Sequence, residues 1–271
     1  MMKMQISPCA KINLGLNVVS RRPDGYHNLQ TVFYPVPIFD TLTIETSEED
    51  TRLTIVGHSI DGDAEQNLVM RAYRLLEKEF QLPPVHITLD KQIPMQAGMG
   101  GGSSDGAYTL RLLNQLFSLN LTDEQLCRYA TRLGADCPFF IRSVPAYAEG
   151  IGEVLTPVSL SLEGYQLAIV KPPVAVSTRE AYIGITPKMP AKNCRDIVMQ
   201  PVTTWCYELY NDFEENIFAL HPEIATIKQQ LYDLGAIYAV MSGSGSSVVG
   251  LFEDVPELDI FDGCYHQVVT L

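Results

Sequence analysis

The chain is short of basic residues and has no long apolar run. Its 19 lysines and arginines are outnumbered by 32 aspartates and glutamates, which gives a formal net charge of −13. Nucleic acids and anionic membranes are generally bound by basic surfaces, so neither is an expected partner. No stretch approaches the roughly 18 to 20 apolar residues of a membrane span, and no signal-peptide core follows Met1 to Gln5. We therefore expect a cytoplasmic protein, and its oligomeric state stays open.

The cysteines are few and scattered. The sequence contains no Cys-x-x-Cys pair and no histidine cluster near a cysteine, so it predicts neither a zinc site nor a disulfide scaffold. Free thiols, buried or half-buried, are expected instead. The six positions are Cys9, Cys127, Cys137, Cys194, Cys206 and Cys264.

With 271 residues, 46% of them hydrophobic, the chain can form one large domain or two of ordinary size.

A glycine-rich loop joins a predicted strand to a predicted helix. Val85 to Leu89 alternates apolar and polar residues, and apolar residues recur every three or four positions from Ala107 to Phe117. Between them, Pro94 to Ser104 holds four glycines and two serines. Glycine lets an anion approach the backbone N–H groups, and a helix start adds unpaired donors and the positive end of its dipole. The loop therefore predicts a phosphate cradle, with a nucleotide as the first ligand to expect.

Two common glycine motifs do not fit this loop. A P-loop has lysine directly after its last glycine, but Ser103 stands there. A dinucleotide fingerprint has glycine at its sixth position, which counted from Gly98 is again Ser103. A plain connecting turn remains the alternative, although it would need only one or two glycines.

A second glycine-rich segment, Ser242 to Ser247, lies between two predicted strands, Ile237 to Met241 and Ser247 to Phe252. By itself such a segment is often only a hairpin turn. Together with the first loop it indicates a phosphorylated ligand that lies in a cleft between two domains, a usual place for ligand sites.

Two charged residues stand in apolar surroundings. Lys11 interrupts the strand pattern of Cys9 to Leu14, where it either has a function or extends its amine to water from a strand edge. Asp136 follows the predicted end of a helix at Gly134 and precedes an apolar segment from Phe139 that we expect to be a strand. Asp136 is either a local cap or half of a Lys–Asp pair beside the cradle.

The overall pattern predicts a β-rich start followed by helices. Strands are expected over residues 1 to about 56, a helix capped by Asn67, and another with a capping box of Thr122 and Gln125. A polar stretch from Ser159 to Gly164 predicts a domain boundary, beyond which strands and helices form an α+β half.

These residues resemble the GHMP small-molecule kinases, named for galactokinase, homoserine kinase, mevalonate kinase and phosphomevalonate kinase. The resemblance covers nearly the whole chain, and the three family motifs match Pro8 to Asn13, Pro94 to Ser104 and Ser242 to Ser246 in order. It implies an α+β fold of two domains with the active site in the cleft between them. Residues 1–160 would form a β-rich α/β domain like ribosomal protein S5 domain 2, and residues 161–271 a ferredoxin-like α+β domain.

The resemblance also implies ATP-dependent phosphorylation of an alcohol, with ATP as co-substrate and Mg²⁺ as cofactor. Within the family, the resemblance is to kinases whose small-molecule substrate is CDP-methylerythritol, phosphorylated on its 2-hydroxyl. The segments that carry it are Ala10 to Leu14, Arg22 to Thr31, Pro94 to Ser104, Leu133 to Phe139 and Ala148 to Glu153. Two alternatives stay open. One is a kinase of the same family for another alcohol, such as mevalonate or homoserine, and the other is a nucleotide-binding regulator without turnover.

The resemblance assigns roles residue by residue. Lys11 and Asp136 would be catalytic, Asn13, Tyr26 and His27 would bind the substrate, and Ser104 would bind Mg²⁺. Asp105 is expected in the first turn of the helix, facing away from ATP and stabilising the helix dipole. The residues expected to bind ATP are Asn67, Pro94, Met95, Gln96, Ala97, Gly98, Met99, Gly100, Gly101, Gly102, Ser103, Ser104, Ser242, Gly243, Ser244 and Gly245.

Overall fold

The computed structural model describes residues 2–58 and 62–271. Strands and helices follow the chain in an order that mixes the two throughout. They are β1 (Lys3–Ile6), β2 (Cys9–Arg21), β3 (His27–Phe39), β4 (Thr41–Thr46), β5 (Arg52–Gly57), α1 (Leu68–Phe80), β6 (Val85–Lys91), α2 (Gly101–Leu116), α3 (Asp123–Leu133), α4 (Phe139–Arg142), β7 (Ala146–Gly150), β8 (Val154–Pro157), β9 (Gln166–Lys171), α5 (Thr178–Ala181), α6 (Cys194–Val198), α7 (Phe213–Leu220), α8 (Pro222–Asp233), β10 (Tyr238–Met241), β11 (Val248–Phe252) and β12 (Tyr265–Thr270). Short 3₁₀ helices occupy Ala64–Gln66, Val202–Tyr207 and Asp259–Phe261.

The chain packs into two compact units that alternate along the sequence. The first takes in Met1–Ala10, Ile38–Met95 and Gly100–Val144, and the second takes in Lys11–Pro37, Gln96–Met99 and Pro145–Leu271. Compactness thus assigns most of β2 and β3 to the second unit. The division into domains at residues 1–160 and 161–271 stays a prediction.

In the first unit a four-stranded sheet, in the order β1-β4-β6-β5, packs with helices. Helix α2 contacts β1 and β4 as well as α1, α3 and α4. The alternation predicted for β6 is confirmed, since Val85, Ile87 and Leu89 are fully buried. The predicted caps are confirmed too: the Asn67 side chain accepts a hydrogen bond from Val69 N at 2.9 Å, and Thr122 forms the capping box with Gln125.

The segment after Asp136 is a helix, so the strand predicted there is wrong. Phe139–Arg142 forms α4, with Phe139, Phe140 and Ile141 buried. A short apolar run looks the same in a buried strand and in a buried helix, so periodicity alone does not distinguish them. Pro138 decides the outcome, because its fixed φ of −57° suits a helix start.

The second unit holds two further sheets, one in the order β2-β3-β7-β8 and one in the order β10-β11-β9-β12. Val18, Val170, Phe213, Ile227 and Val248 are among the buried residues of its core, which β2 shares with α7, α8 and the second sheet. The strands predicted after the polar stretch are confirmed within a residue or two. β10 and β11 pair antiparallel and enclose the second glycine-rich segment.

The six cysteines are free, and each is buried or half-buried, as the sequence predicts. Burial raises the pKa of Cys137 and Cys194 to about 12, so both stay protonated at neutral pH.

Across residues 2–58 and 62–271, no helix has both the length and the apolar character to cross a membrane.

A buried lysine with two carboxylates lies beneath the start of α2. Lys91 is fully buried and pairs with Asp40 and, at 2.8 Å, with Asp105. Asp40 also accepts hydrogen bonds from Gln92 N at 2.6 Å and Ile93 N at 2.8 Å. Because burial disfavours its charged form, the pKa of Asp105 is raised, although Lys91 opposes the rise. The cluster links the sheet to the helix that follows the glycine loop.

Asp105 differs from its predicted position. Helix α2 begins at Gly101, so Asp105 lies past the first turn, and its side chain is 2% exposed. It is therefore an ion-pair partner of Lys91 inside the unit and not a surface charge at the helix end. The apolar repeat from Ala107 to Phe117 does not show that the helix already begins at Gly101, because glycine is a weak helix former and carries no apolar side chain.

Replacing Lys91 with methionine should lower the free energy of unfolding by about 3 to 5 kcal/mol, because Asp40 would lose its buried cation. Urea denaturation followed by circular dichroism measures the change. The matched control is Lys3→Met, because Lys3 pairs with Glu45 at 3.4 Å while 63% exposed, and such a pair contributes about 0 to 1 kcal/mol. Equal effects of the two substitutions would contradict a structural role for the cluster.

Candidate active site

Lys11 is one of four residues that form a closed ring of hydrogen bonds in the second unit. Its Nζ donates to Asn13 Oδ1 at 2.6 Å and to Gly98 O at 3.0 Å. The Ser242 hydroxyl donates to the same Gly98 oxygen at 2.9 Å and accepts from Asn13 N at 3.2 Å. We call these four residues, Lys11, Asn13, Gly98 and Ser242, the Lys11 ring.

The Lys11 ring is closed to solvent. Lys11 and Asn13 are each 3% exposed, and Ser242 is fully buried. The Lys11 ammonium also lies 5.1 Å from the centre of the Phe33 ring, where a cation is attracted to the aromatic face. A buried cation is costly unless oxygens surround it, so these contacts fix both the position and the direction of the ammonium. This excludes the alternative of an amine that extends to water.

Two further residues support the ring. Asn13 Nδ2 donates to Thr31 Oγ1 at 2.9 Å, which orients the Asn13 amide. Asn211 Nδ2 donates to Met241 O and to Gly243 O, both at 2.7 Å. Sequence reasoning missed both residues, because Thr31 lies inside a strand and Asn211 lies in a loop with no motif around it.

The two glycine-rich loops approach each other within the second unit. Gly98 has a φ of +68°, and a Cβ there would lie 1.9 Å from Ser242 O. Ser246 N donates to Gln96 O at 3.4 Å. The second loop is therefore more than a hairpin turn, since it contacts the first loop at a distance that only glycine permits. The Ser242 proton is donated to Gly98 O, and ATP binding by Ser242, Gly243, Ser244 and Gly245 stays a prediction.

The start of α2, in the first unit, has the form of an anion site. Gly100 is in the left-handed conformation at the N-cap and offers no side-chain cap, so helix-start N–H groups are left for another partner. Among the described residues, nothing lies within 4 Å of where a Cβ on Gly102 would stand. A Cβ at Gly102 would thus fill open space beside these donors, and the residues present fit a phosphate group.

The rest of the first loop is divided between surface and interior. Pro94, Ala97 and Met99 are buried, and Met95 and Gln96 are exposed. Met99 is tied to β2 through Lys11 N, which donates to Met99 O at 3.0 Å. Packing of these buried side chains therefore fixes the loop backbone, and the glycines between them keep that backbone free of side chains at the site.

Asp136 lies in the turn between α3 and α4, in the first unit. It is half-buried, and its carbonyl accepts a hydrogen bond from Phe139 N at 3.2 Å. Burial raises the pKa of Cys137, the next residue, while Ser103 lowers it, so this turn lies near the start of α2. The pairing of Asp136 with Lys11 stays a prediction.

Ser104 is the residue expected to bind Mg²⁺. Its hydroxyl is buried and has no hydrogen-bond partner within the described part of the chain. Buried hydroxyls are nearly always satisfied, so an unpartnered one beside an anion site indicates capacity for a ligand. Among the described residues, no group of three or more His, Cys, Asp or Glu side chains could hold a metal ion, so Mg²⁺ binding by Ser104 stays a prediction.

Residues 22–25 form a turn in the second unit, and the aromatic residue that follows it is exposed. Gly25 N donates to Arg22 O at 3.1 Å, and Tyr26 is 62% exposed. His27 stacks on Tyr182, with ring centres 4.8 Å apart and planes at 16°. Partial burial, and then the charge of Arg21, lower the pKa of His27, so the imidazole is neutral at pH 7. Sequence reasoning missed Tyr182, which directly follows α5.

Asn67 uses its side-chain oxygen to cap α1, as described above. The capping alternative is thus confirmed for this residue. A contact with the nucleotide would have to use the Asn67 amide nitrogen, and it stays a prediction.

Comparison with known proteins decides the family. The GHMP kinases N terminal domain matches residues 67–143, and the GHMP kinases C terminal domain matches residues 202–260. A 4-diphosphocytidyl-2-C-methyl-D-erythritol kinase of Bacteroides fragilis is 54% identical over 259 residues, 94% of each chain. The chain belongs to the GHMP kinases. A kinase of the same name from Bacteroides thetaiotaomicron is 54% identical to this GHMP kinase, over 93% of its chain and 94% of the relative.

A solved structure agrees with this assignment. The crystal structure of a 4-(cytidine 5'-diphospho)-2C-methyl-D-erythritol kinase is 35% identical and has a TM-score of 0.75. The match covers 92% of this GHMP kinase and 90% of that chain. The α+β fold expected from the resemblance is thereby confirmed, as is a kinase with ATP as co-substrate.

Replacing Gly98 with alanine should destabilise this kinase far more than replacing Gly164. Both have positive φ, +68° and +93°, but among the described residues nothing lies within 4 Å of a Cβ on Gly164. Gly164→Ala should cost about 1 to 2 kcal/mol of unfolding free energy from backbone strain alone. Gly98→Ala should cost clearly more, because the methyl group would overlap Ser242 O. Urea denaturation compares them, and equal costs would argue against close contact of the two glycine loops.

Proposed function

We propose that this protein transfers the γ-phosphoryl group of ATP to the 2-hydroxyl of 4-diphosphocytidyl-2-C-methyl-D-erythritol. The products would be the 2-phosphate and ADP, in non-mevalonate isoprenoid biosynthesis. The observation that carries the proposal is 54% identity over 94% of the chain to a kinase named for this substrate. The buried Lys11 ring and the anion site at α2 supply chemistry that such a transfer needs.

Lys11 and Asp136 are the catalytic residues in this proposal. The Asp136 carboxylate would orient the 2-hydroxyl and accept its proton as the phosphorus–oxygen bond forms. Lys11 would polarise the same hydroxyl and favour the ionised form of Asp136. Phosphoryl transfer depends mostly on alignment and charge stabilisation, and an ammonium fixed by oxygens supplies both.

The first glycine loop would hold the triphosphate of ATP. Backbone N–H groups at the start of α2 would donate to phosphate oxygens, with the open space at Gly102 as the place of closest approach. Ser104 would contribute its unpartnered hydroxyl to the coordination of Mg²⁺. When bound, Mg²⁺ would offset negative charge on the phosphates. With a net charge of −13, the protein has to bind ATP through such local donors.

The cytidine end would be bound in the second unit by His27 and nearby rings. A neutral imidazole has one donor and one acceptor, so it can either donate to the acceptor N3 of cytosine or accept from its amino group. Tyr26 is exposed and offers an aromatic face on which a base can stack, while Tyr182 holds the His27 ring by stacking on it. Asn13 would contact the substrate from the Lys11 ring. The cytoplasm, where ATP is regenerated, is the compartment that this proposal implies.

Phosphorus NMR with MgATP and 4-diphosphocytidyl-2-C-methyl-D-erythritol tests the reaction. A new phosphomonoester resonance should appear with the native protein. With Asp136→Asn it should form at least about 1,000-fold more slowly, while the Kd for ATP changes little, because only proton transfer and alignment are lost. Mevalonate is included as a competing acceptor. Transfer to mevalonate alone would mean that the protein is a kinase for another alcohol. ATP binding without any transfer would favour a nucleotide-binding regulator.

His27→Ala should raise KM for the cytidylylated substrate about 10- to 100-fold, because the cytosine would lose its contact with the imidazole and Tyr182 would lose its stacking partner. The KM for ATP should stay the same. His266→Ala is the matched control, because His266 is exposed on β12 and should leave both KM values unchanged. Steady-state kinetics with each substrate varied in turn makes the measurement. A parallel rise of both KM values would remove His27 from substrate recognition.

A further inference from the structure

Asn211 is a buried amide that the proposed reaction does not yet use. It is 3% exposed, and its side chain makes three hydrogen bonds. Nδ2 donates to Met241 O and Gly243 O, both at 2.7 Å, and Oδ1 accepts from Phe213 N at 3.0 Å. The Asn211 amide is therefore locked in one orientation, and two of its three bonds go to the second glycine loop.

Those two bonds flank Ser242. Met241 and Gly243 are its neighbours on either side, so Asn211 fixes the backbone from which the Ser242 side chain projects. The Ser242 hydroxyl joins Asn13 N to Gly98 O, the oxygen that also accepts from Lys11 Nζ. A shift of the Ser242 backbone would therefore disturb Asn13 and Gly98, the two residues whose oxygens accept from the Lys11 ammonium.

The attachment of Asn211 is itself rigid. Leu16 N donates to Tyr210 O at 2.9 Å and Asp212 N donates to Leu16 O at 2.8 Å, so the segment is tied to β2 on both sides of Asn211. Asp212 Oδ2 also accepts from Val18 N at 2.8 Å. Asn211 thus connects the strand that carries Lys11 to the loop that holds the Lys11 ring.

We propose that Asn211 is a positioning residue for phosphoryl transfer: it acts through Ser242 to hold the Lys11 ammonium in its reactive direction. The inference deepens the proposed function and rests on it for the role of Lys11. All three hydrogen bonds of the Asn211 side chain go to the protein backbone, so its substitution should affect the rate of the chemical step more than the affinity for ATP. The second glycine loop acts here as a support for Lys11.

Hydrogen exchange without any ligand tests the structural half of the proposal. Asn211→Asp keeps the shape of the side chain but turns two donors into an oxygen that faces two carbonyl oxygens. Exchange should accelerate at least about tenfold in peptides covering residues 10–14, 96–99 and 241–247. Asn114→Asp is the matched control. Asn114 ties a distant loop through Leu121 O at 3.1 Å, and its substitution should leave these three peptides unchanged.

Kinetics tests the functional half. Asn211→Asp should lower kcat about 10- to 100-fold and change KM for ATP less than twofold. In a Lys11→Met background the same substitution should change kcat less than twofold, because residues that act as a unit are non-additive. A merely structural role would give multiplying losses. If Asn211→Asp does not fold, Ser242→Ala replaces it in the hydrogen-exchange and kcat measurements, with the same expected pattern in both.

The outcomes separate this inference from the proposed function. Accelerated exchange confined to residues 241–247, an unchanged kcat, or multiplying losses would each overturn the role of Asn211. If the native protein transfers no phosphate to the cytidylylated substrate, the proposed function fails. The exchange experiment still decides then whether Asn211 holds the Lys11 ring.

Discussion

The burial of the Lys11 ammonium is the constraint on which the candidate active site depends. An ammonium removed from water has to be surrounded by oxygens, and an apolar strand supplies none on its own. Oxygens from Asn13 and from the first glycine loop meet this need, and Ser242 of the second loop binds to both. The glycines are required because these segments approach so closely that a side chain at Gly98 would overlap the Ser242 carbonyl.

A second buried lysine follows the same principle in the first unit. Lys91 is matched by the carboxylates of Asp40 and Asp105 and not by neutral oxygens. The difference in partners suits different tasks. Carboxylates neutralise Lys91 and make it a structural link under α2, whereas the oxygens from Asn13 and Gly98 orient the Lys11 ammonium.

The acidity of the chain shapes how it can bind a triphosphate. A net charge of −13 repels anions at a distance, so attraction has to come from groups at the site itself. Backbone N–H groups at a helix start are suited to this, because their partial charges are fixed in direction and cost no reorganisation. The left-handed Gly100 and the open position at Gly102 are the features of this chain that expose those groups.

The sequence by itself determined β6, the strands after the polar stretch, the caps of α1 and α3, both glycine loops and the resemblance to the family. These features are local: alternation, capping residues and glycine conformations depend on neighbours along the chain. It did not determine whether Phe139 to Arg142 is a strand or a helix, because both bury the same apolar run. Only the tertiary structure decided that Asp105 faces Lys91, that Tyr182 stacks on His27, and that Asn211 and Thr31 support the Lys11 ring. Each of these contacts joins residues far apart in sequence, and their side-chain types carry no signal until the fold brings them within hydrogen-bonding or stacking distance.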